Sequence, residues 1–470
     1  MRLWVLLLLL PGCLQSGADA PEATPPPDAV TVVQPPPFDF DTAIEEVHDH
    51  TDPSRHLGHY GMELIGHDPL MSASEAGVLP GGHTEVSIAA DDEGRTWAFV
   101  ANFGPRRAFS ITEVTDPAAP RHTADFLPNH PLGLTRVGGG SYWDVAAFPH
   151  SDLVVSSAQA MAIIDPTTGA QEEVGGGLYL VNTEDKAAPF TESFTQVVDT
   201  DALVPVGIHN ARPFWAADAW HVAATSANGN TILFRVEGDA PSRTLVEVSR
   251  VVGVHDTTVQ VHPFTNQTLL YGASGGVFIT DVSDPADPEI LSQVPNGPEL
   301  SAYHLIVPSD VLIEGRHYTV SGTETTEGAP PFITVLDTTE PTSPFIVSTW
   351  QTPFDEDLYM PAPYRWATHN FDVDHGRIIM GHYHAGVWII DISSQTNAYA
   401  PVTMAYYQPH EVPLFVPRTP LGTDVPAVWS AVQHDGLIYA GDVNSGLYVL
   451  RSTVEPSPLE GAAVFPHNQR

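Results

Sequence analysis

The chain reads as an all-β protein, a seven-bladed β-propeller with four-stranded blades. Three observations predict it. A short apolar segment, often ending in an acid-proline turn, recurs seven times along the 470 residues. Around each copy lie further short strand patterns, divided by Gly, Asn and Asp turn signals. Long amphipathic helical patterns are absent, and 44 prolines argue against helices.

The order of elements begins with an export signal. Arg2 precedes an eight-residue apolar run, Leu3 to Leu10, and the chain continues Leu10-Pro11-Gly12-Cys13. A basic start, a short apolar core and a small-residue exit make a secretory signal, too short to span a bilayer. The last four residues resemble the bacterial lipobox, although Pro11 is unusual for its slot. That resemblance implies acylation of Cys13, which is the only cysteine and has no disulfide partner. The expected location is the outer membrane or cell surface, with the membrane as partner through the anchor. The bland alternative is a simple signal peptide with a chance cysteine.

Residues 1–12 are therefore assigned to the signal and 13–59 to a lipidated tether. The tether is proline-rich (Pro25 to Pro27, Pro35 to Pro37) and too poor in apolar residues to fold. His48, His50, His56, His59 and His67 stand at its end among Glu45, Glu46, Asp49 and Asp52. They read as a solvated acidic linker or, less simply, as a metal-collecting tract. The propeller is placed at 60–458 and a disordered tail at 459–470. A net charge of −39, from 57 acids against 18 bases, repels phosphate backbones and excludes nucleic acid as a partner. A monomer is expected.

The seven strand copies start at Phe109, Leu178, Thr231, Val277, Ile333, Val387 and Leu447. The fourth unit shows the plan most clearly: Thr257 to Val261, Thr268 to Gly272, Val277 to Val282, and a last strand near Ile290. The seventh unit lacks an outer strand, while Met62 to Gly66 is an orphan strand ahead of the first. Pairing the two closes the ring and removes the open edges. The runs Phe109-Ser-Ile-Thr-Glu-Val-Thr-Asp-Pro117 and Val277-Phe-Ile-Thr-Asp-Val-Ser-Asp-Pro285 resemble the LVIVD repeat family. The likeness covers roughly residues 60 to 456 and implies an exported or surface β-propeller. It implies little about activity.

Aligned on their strands, the units share one position at the start of the innermost strand. It holds His83, Trp143, His209, His255, His304, His369 and Trp429. The start of an innermost strand lies at one mouth of the central channel, and the turn between second and third strands opens on the same face. Those turns carry Asn102, Asn228, Ser274, Glu324, His382, His384, Asp442 and Asn444. Residues two apart in a strand share a face, which would aim His382 and His384 together.

Converging imidazoles suit copper, iron or zinc. His83, His209, His255, His304, His369, His382 and His384 are the candidate ligands, with Trp143 and Trp429 as aromatics of the mouth. The alternative is that these histidines merely fill a wet channel and bond to backbone and water. Two functions follow. One is a surface module that binds a protein, glycan or small molecule across a His-lined, metal-binding mouth. The other is a metal-dependent enzyme, most plausibly an oxidoreductase, with His209, His255, His304 and His369 as ligands. Nucleophilic chemistry has little support, because Cys13 is committed and no Gly-x-Ser-x-Gly elbow occurs. Asp281, Asp337 and Asp391, at the ends of third strands, read as turn acceptors rather than calcium ligands. Insertions at Thr352 to Thr368 and Gln408 to Val428 are placed above the mouth.

Overall fold

A computed structural model describes residues 59–70, 82–102, 107–128, 144–159, 162–164, 171–173, 176–198, 205–226, 229–295, 303–324, 332–352, 367–409 and 426–454. Within them the chain is a ring of seven antiparallel blades, each with four strands from the channel outwards. Blade I comprises His83–Ala90, Thr96–Asn102, Phe109–Glu113 and Arg121–Phe126. Blade II comprises Val145–Ala147, Leu153–Ala158, Gly177–Asn182 and Phe190–Val198. Blades III, IV and V begin at Ile208–Ala216, Asp256–Val261 and Tyr303–Pro308. Blade VI begins at Phe371–Asp374 and blade VII at Val428–His434.

The sequence forms these elements for local reasons. Third strands such as Ile333–Asp337 and Val387–Asp391 are fully buried, so they are apolar without alternation. Outer strands such as Glu289–Pro295 are exposed or half-buried along their length. Leaving the third strand, Asp281, Asp337 and Asp391 accept the backbone N–H of Ser283, Thr339 and Ser393 at 2.8, 3.0 and 2.7 Å. These are the expected turn acceptors. The core lies between neighbouring blades rather than at the centre. In the largest cluster Val320 and Trp350 of blade V meet Ile378, Trp388 and Ile390 of blade VI.

The ring closes as the repeat count requires. Met62–Asp68 lies antiparallel to Gly446–Ser452 as the outer strand of blade VII. Asp68 then ties this strand to blade I, accepting the backbone N–H of His122 at 2.7 Å. Gly66 is obligatory there, since a Cβ would sit 2.1 Å from the Pro117 carbonyl oxygen.

Some boundaries differ from the sequence reading. His59–Tyr60 pairs with Tyr407 and Tyr406 at the edge of blade VI, so the folded body already includes His59. His67 belongs to the closing strand, where its Nε2 lies 2.7 Å from the Ser445 carbonyl and its ring packs on Tyr448. Neither histidine belongs to a linker. Blade II carries two additions, the hairpin Ala162–Ile164 with Gln171–Glu173 and the short strand Pro205–Val206. One short helix, Gln395–Tyr399, precedes the outer strand of blade VI. Residues 1–58, the tail 459–470 and most of both insertions (353–366 and 410–425) lie outside the described residues.

Candidate metal centre at the channel mouth

The innermost strands bring the shared histidines to one mouth by a common device. In blade III the ladder slips between Ile208 and Asn210, in blade V between Tyr303 and Leu305, and in blade VII between Val428 and Ser430. The residue skipped is His209, His304 and Trp429 in turn. Such a bulge leaves one residue out of the ladder and re-aims its side chain, here toward the channel. His255 and His369 reach the same level without a slip. Their backbone N–H groups donate to Ala273 and Gly381, just ahead of the first ladder pair.

Four imidazoles therefore follow one another around the mouth. Ring centroids are 4.3 Å apart for His209 and His255, for His255 and His304, and for His304 and His369. Asp256, buried beneath them, faces three of the four. Its carboxylate lies 3.7 Å from His209 Nε2, 3.3 Å from His255 Nδ1 and 3.8 Å from His304 Nδ1. One ligand atom each from His209, His255, Asp256 and His304 falls within 4.8 Å of the others. A second group, His304, Glu324 and His369, meets the same limit.

Outer contacts fix which nitrogen each ring presents. His209 Nδ1–H donates to Gln159 Oε1 at 2.7 Å, leaving Nε2 as a lone pair toward Asp256. His369 Nδ1–H donates to the Trp429 carbonyl at 3.1 Å, and the Trp429 ring packs on the imidazole at 3.8 Å. Tyr383 donates its hydroxyl to Glu324 at 2.6 Å. This is how ligands are oriented in metal sites. His304 differs from its neighbours: it is 4 % exposed, and neither ring nitrogen has a hydrogen-bond partner. Burying two polar atoms unpaired is costly, so the position calls for a further partner, an ordered water or an ion.

The electrostatics favour neutral rings at His209, His304 and His369. Burial, and then the neighbouring His255, push His209 down to about 3. Burial likewise lowers His304 and takes His369 well below the usual histidine range. Burial also pulls on His255, but the Asp256 carboxylate outweighs it and its pKa is raised. Asp256 is held ionised, because the surrounding His304, His255 and His209 overcome its burial. Neutral imidazole and carboxylate are the ligating forms.

Deeper in the channel a fixed ionic network forms the floor. Arg212 of blade III donates to both Asp144 oxygens at 2.6 Å and to Glu85 of blade I at 3.2 Å. Asn370 of blade VI donates to the other Glu85 oxygen. Glu85 and Asp144 share one guanidinium, and burial pushes the pKa of Glu85 up against the pull of Arg212. A cavity of about 210 Å³ lies on the far side, lined by Glu85, Ala147, Arg212, Thr258, Val307 and Val432.

The remaining predicted residues stand apart. His83 is fully buried, with Nδ1 3.3 Å from Asn102 Nδ2, and belongs to neither ligand group. His382 and His384 also fall outside both groups. They do not share a strand face, because Tyr383 between them has φ +38° and the segment is a turn. Trp143 and Asn228 lie outside the described residues. Sequence reasoning missed Asp256 as a ligand and Gln159 and Tyr383 as supports. A signal for Asp256 was present: His209-Asn210, His255-Asp256 and His369-Asn370 repeat a His-Asx pair, and only one carries a charge.

No protein-family model and no curated protein matches the chain, which leaves the channel geometry as the ground for a functional reading.

Proposed function

We propose that this protein is an exported binding module whose β-propeller holds a transition-metal ion through His209, His255, His304 and Asp256. One observation carries the reading: three imidazoles and a buried carboxylate converge within 4.8 Å around a histidine whose nitrogens are both unpaired. Three nitrogens and one oxygen suit copper, iron or zinc. The lipobox-like Cys13 and the likeness to LVIVD repeats support display at the cell surface. The partner there is a protein, glycan or small molecule that meets the mouth. A second reading, a metal-dependent oxidoreductase, draws on the 40 % exposure of the His255 side chain. An ion held beside it faces solvent, and an open position is the mark of a catalytic centre.

Metal analysis of protein purified without a histidine tag tests both. The expected result is a stoichiometric transition metal, with a melting temperature that rises as copper, zinc or iron is added to the stripped protein. No bound metal together with an unmoved melting temperature overturns the proposal. Native loading with zinc alone, which has no redox chemistry of its own, overturns redox chemistry at the metal.

A further inference from the structure

The two ligand groups share one residue, and the shared residue presents a different nitrogen to each. His304 Nδ1 lies 3.8 Å from Asp256, whereas its Nε2 lies 3.5 Å from Glu324 on the other edge of the ring. His209 and His255 group with His304 on the Asp256 side, and His369 groups with it on the Glu324 side. Each side thus has its own carboxylate and its own further imidazole, and each has outer-sphere support. Gln159 orients His209 on one side, while Tyr383 and the Trp429 carbonyl hold Glu324 and His369 on the other. A single ion on the Asp256 side would still leave Nε2 buried without a partner.

We propose that the mouth binds two transition-metal ions bridged by the imidazolate of His304. This rests on the metal-binding reading above and adds a second site, formed by His304 Nε2, His369 and Glu324. With metal–nitrogen bonds of about 2 Å, two ions on opposite edges of one ring stand about 6 Å apart. Ligation through both nitrogens requires His304 to give up its one ring proton, which passes to solvent as the second ion binds. The Asp256 side offers four donors against three, so it fills first.

Copper(II) titration of the intact, chelator-stripped chain tests this. Two ions per chain are expected. The first should raise a Cu(II) paramagnetic resonance signal, and the second should diminish it, because an imidazolate bridge couples the two spins antiferromagnetically. Glu324→Gln and His369→Asn should each hold a single ion with a persistent signal. Wild type saturating at one ion overturns the second site while leaving the mononuclear centre intact. Two ions with simply additive signals overturn the bridge. No bound copper overturns this proposal and the metal-binding reading together. The wild-type titration decides even where a variant fails to fold, which its circular dichroism would show.

Discussion

Blades IV and V each carry histidines at both ends, and the two ends treat them oppositely. At the mouth, both nitrogens of His304 are unpaired. At the far ends of the same blades, His262 Nε2 meets the Thr338 carbonyl at 3.0 Å and Nδ1 accepts from the Thr265 backbone N–H at 3.3 Å. Its neighbour His317, 5.1 Å away between centroids, meets Gln260 Oε1 at 3.1 Å and Thr338 Oγ1 at 3.0 Å. Residue type and parent blades are the same, and His304 is as buried as His262 and His317, yet only the far pair is complete. The comparison teaches that hydrogen-bond accounting, rather than histidine count, separates the structural His317 from the candidate ligand His304.

Three measurements sharpen or break that contrast. The largest effect should come from His317→Ala, which leaves buried partners such as Gln260 unmet and opens a cavity. A loss of about 3 kcal/mol in urea unfolding is expected, with copper affinity unchanged. A variant that loses metal but keeps its stability would place the functional histidines at the wrong end.

The next concerns pH. Burial, and then His262, hold His317 down to about 3, against ~6.5 in the unfolded chain. The unfolded state therefore binds the extra proton between these values, and stability must fall as pH drops below 6.5. Between pH 6.5 and 5 the loss at this residue is about 2 kcal/mol. His317→Gln should flatten that stretch of the stability curve, and an equal slope in variant and wild type would count against a neutral buried ring.

The smallest effect is the sharpest test. In stripped protein His304→Leu removes an unsatisfied polar group, so stability should stay within about 1 kcal/mol of wild type. The same variant should lose the metal-dependent rise in melting temperature. A loss comparable with that of His317→Ala would mean that His304 is structural after all.

Much of the fold was legible because each blade restates it. The apolar third strand recurs with each unit, three times ending in the turn led by Asp281, Asp337 or Asp391, and the missing outer strand of the seventh unit pointed to Met62. The mouth was legible for a related reason: one position per blade exposes a preference that a single histidine would hide. What stayed hidden depends on backbone detail. The bulges at His209 and His304 are changes of register without a residue signature, and Asp256 looked like an ordinary strand residue. His382 and His384 were misread because their spacing fits a strand, whereas the chain turns at Tyr383.

The closing strand also sets an order of events in time. Glu63 and Arg451, which pair across blade VII, are 388 positions apart in the chain. Synthesis at about 5–20 residues per second separates their emergence by tens of seconds. Throughout that interval Met62–Asp68 has no ladder partner, because Gly446–Ser452 has yet to arrive. Blades I to VI can each form as they appear, but the circle is completed by its oldest and youngest segments meeting last. Folding should therefore be limited by that one long-range closure, as slow, non-local β topologies are.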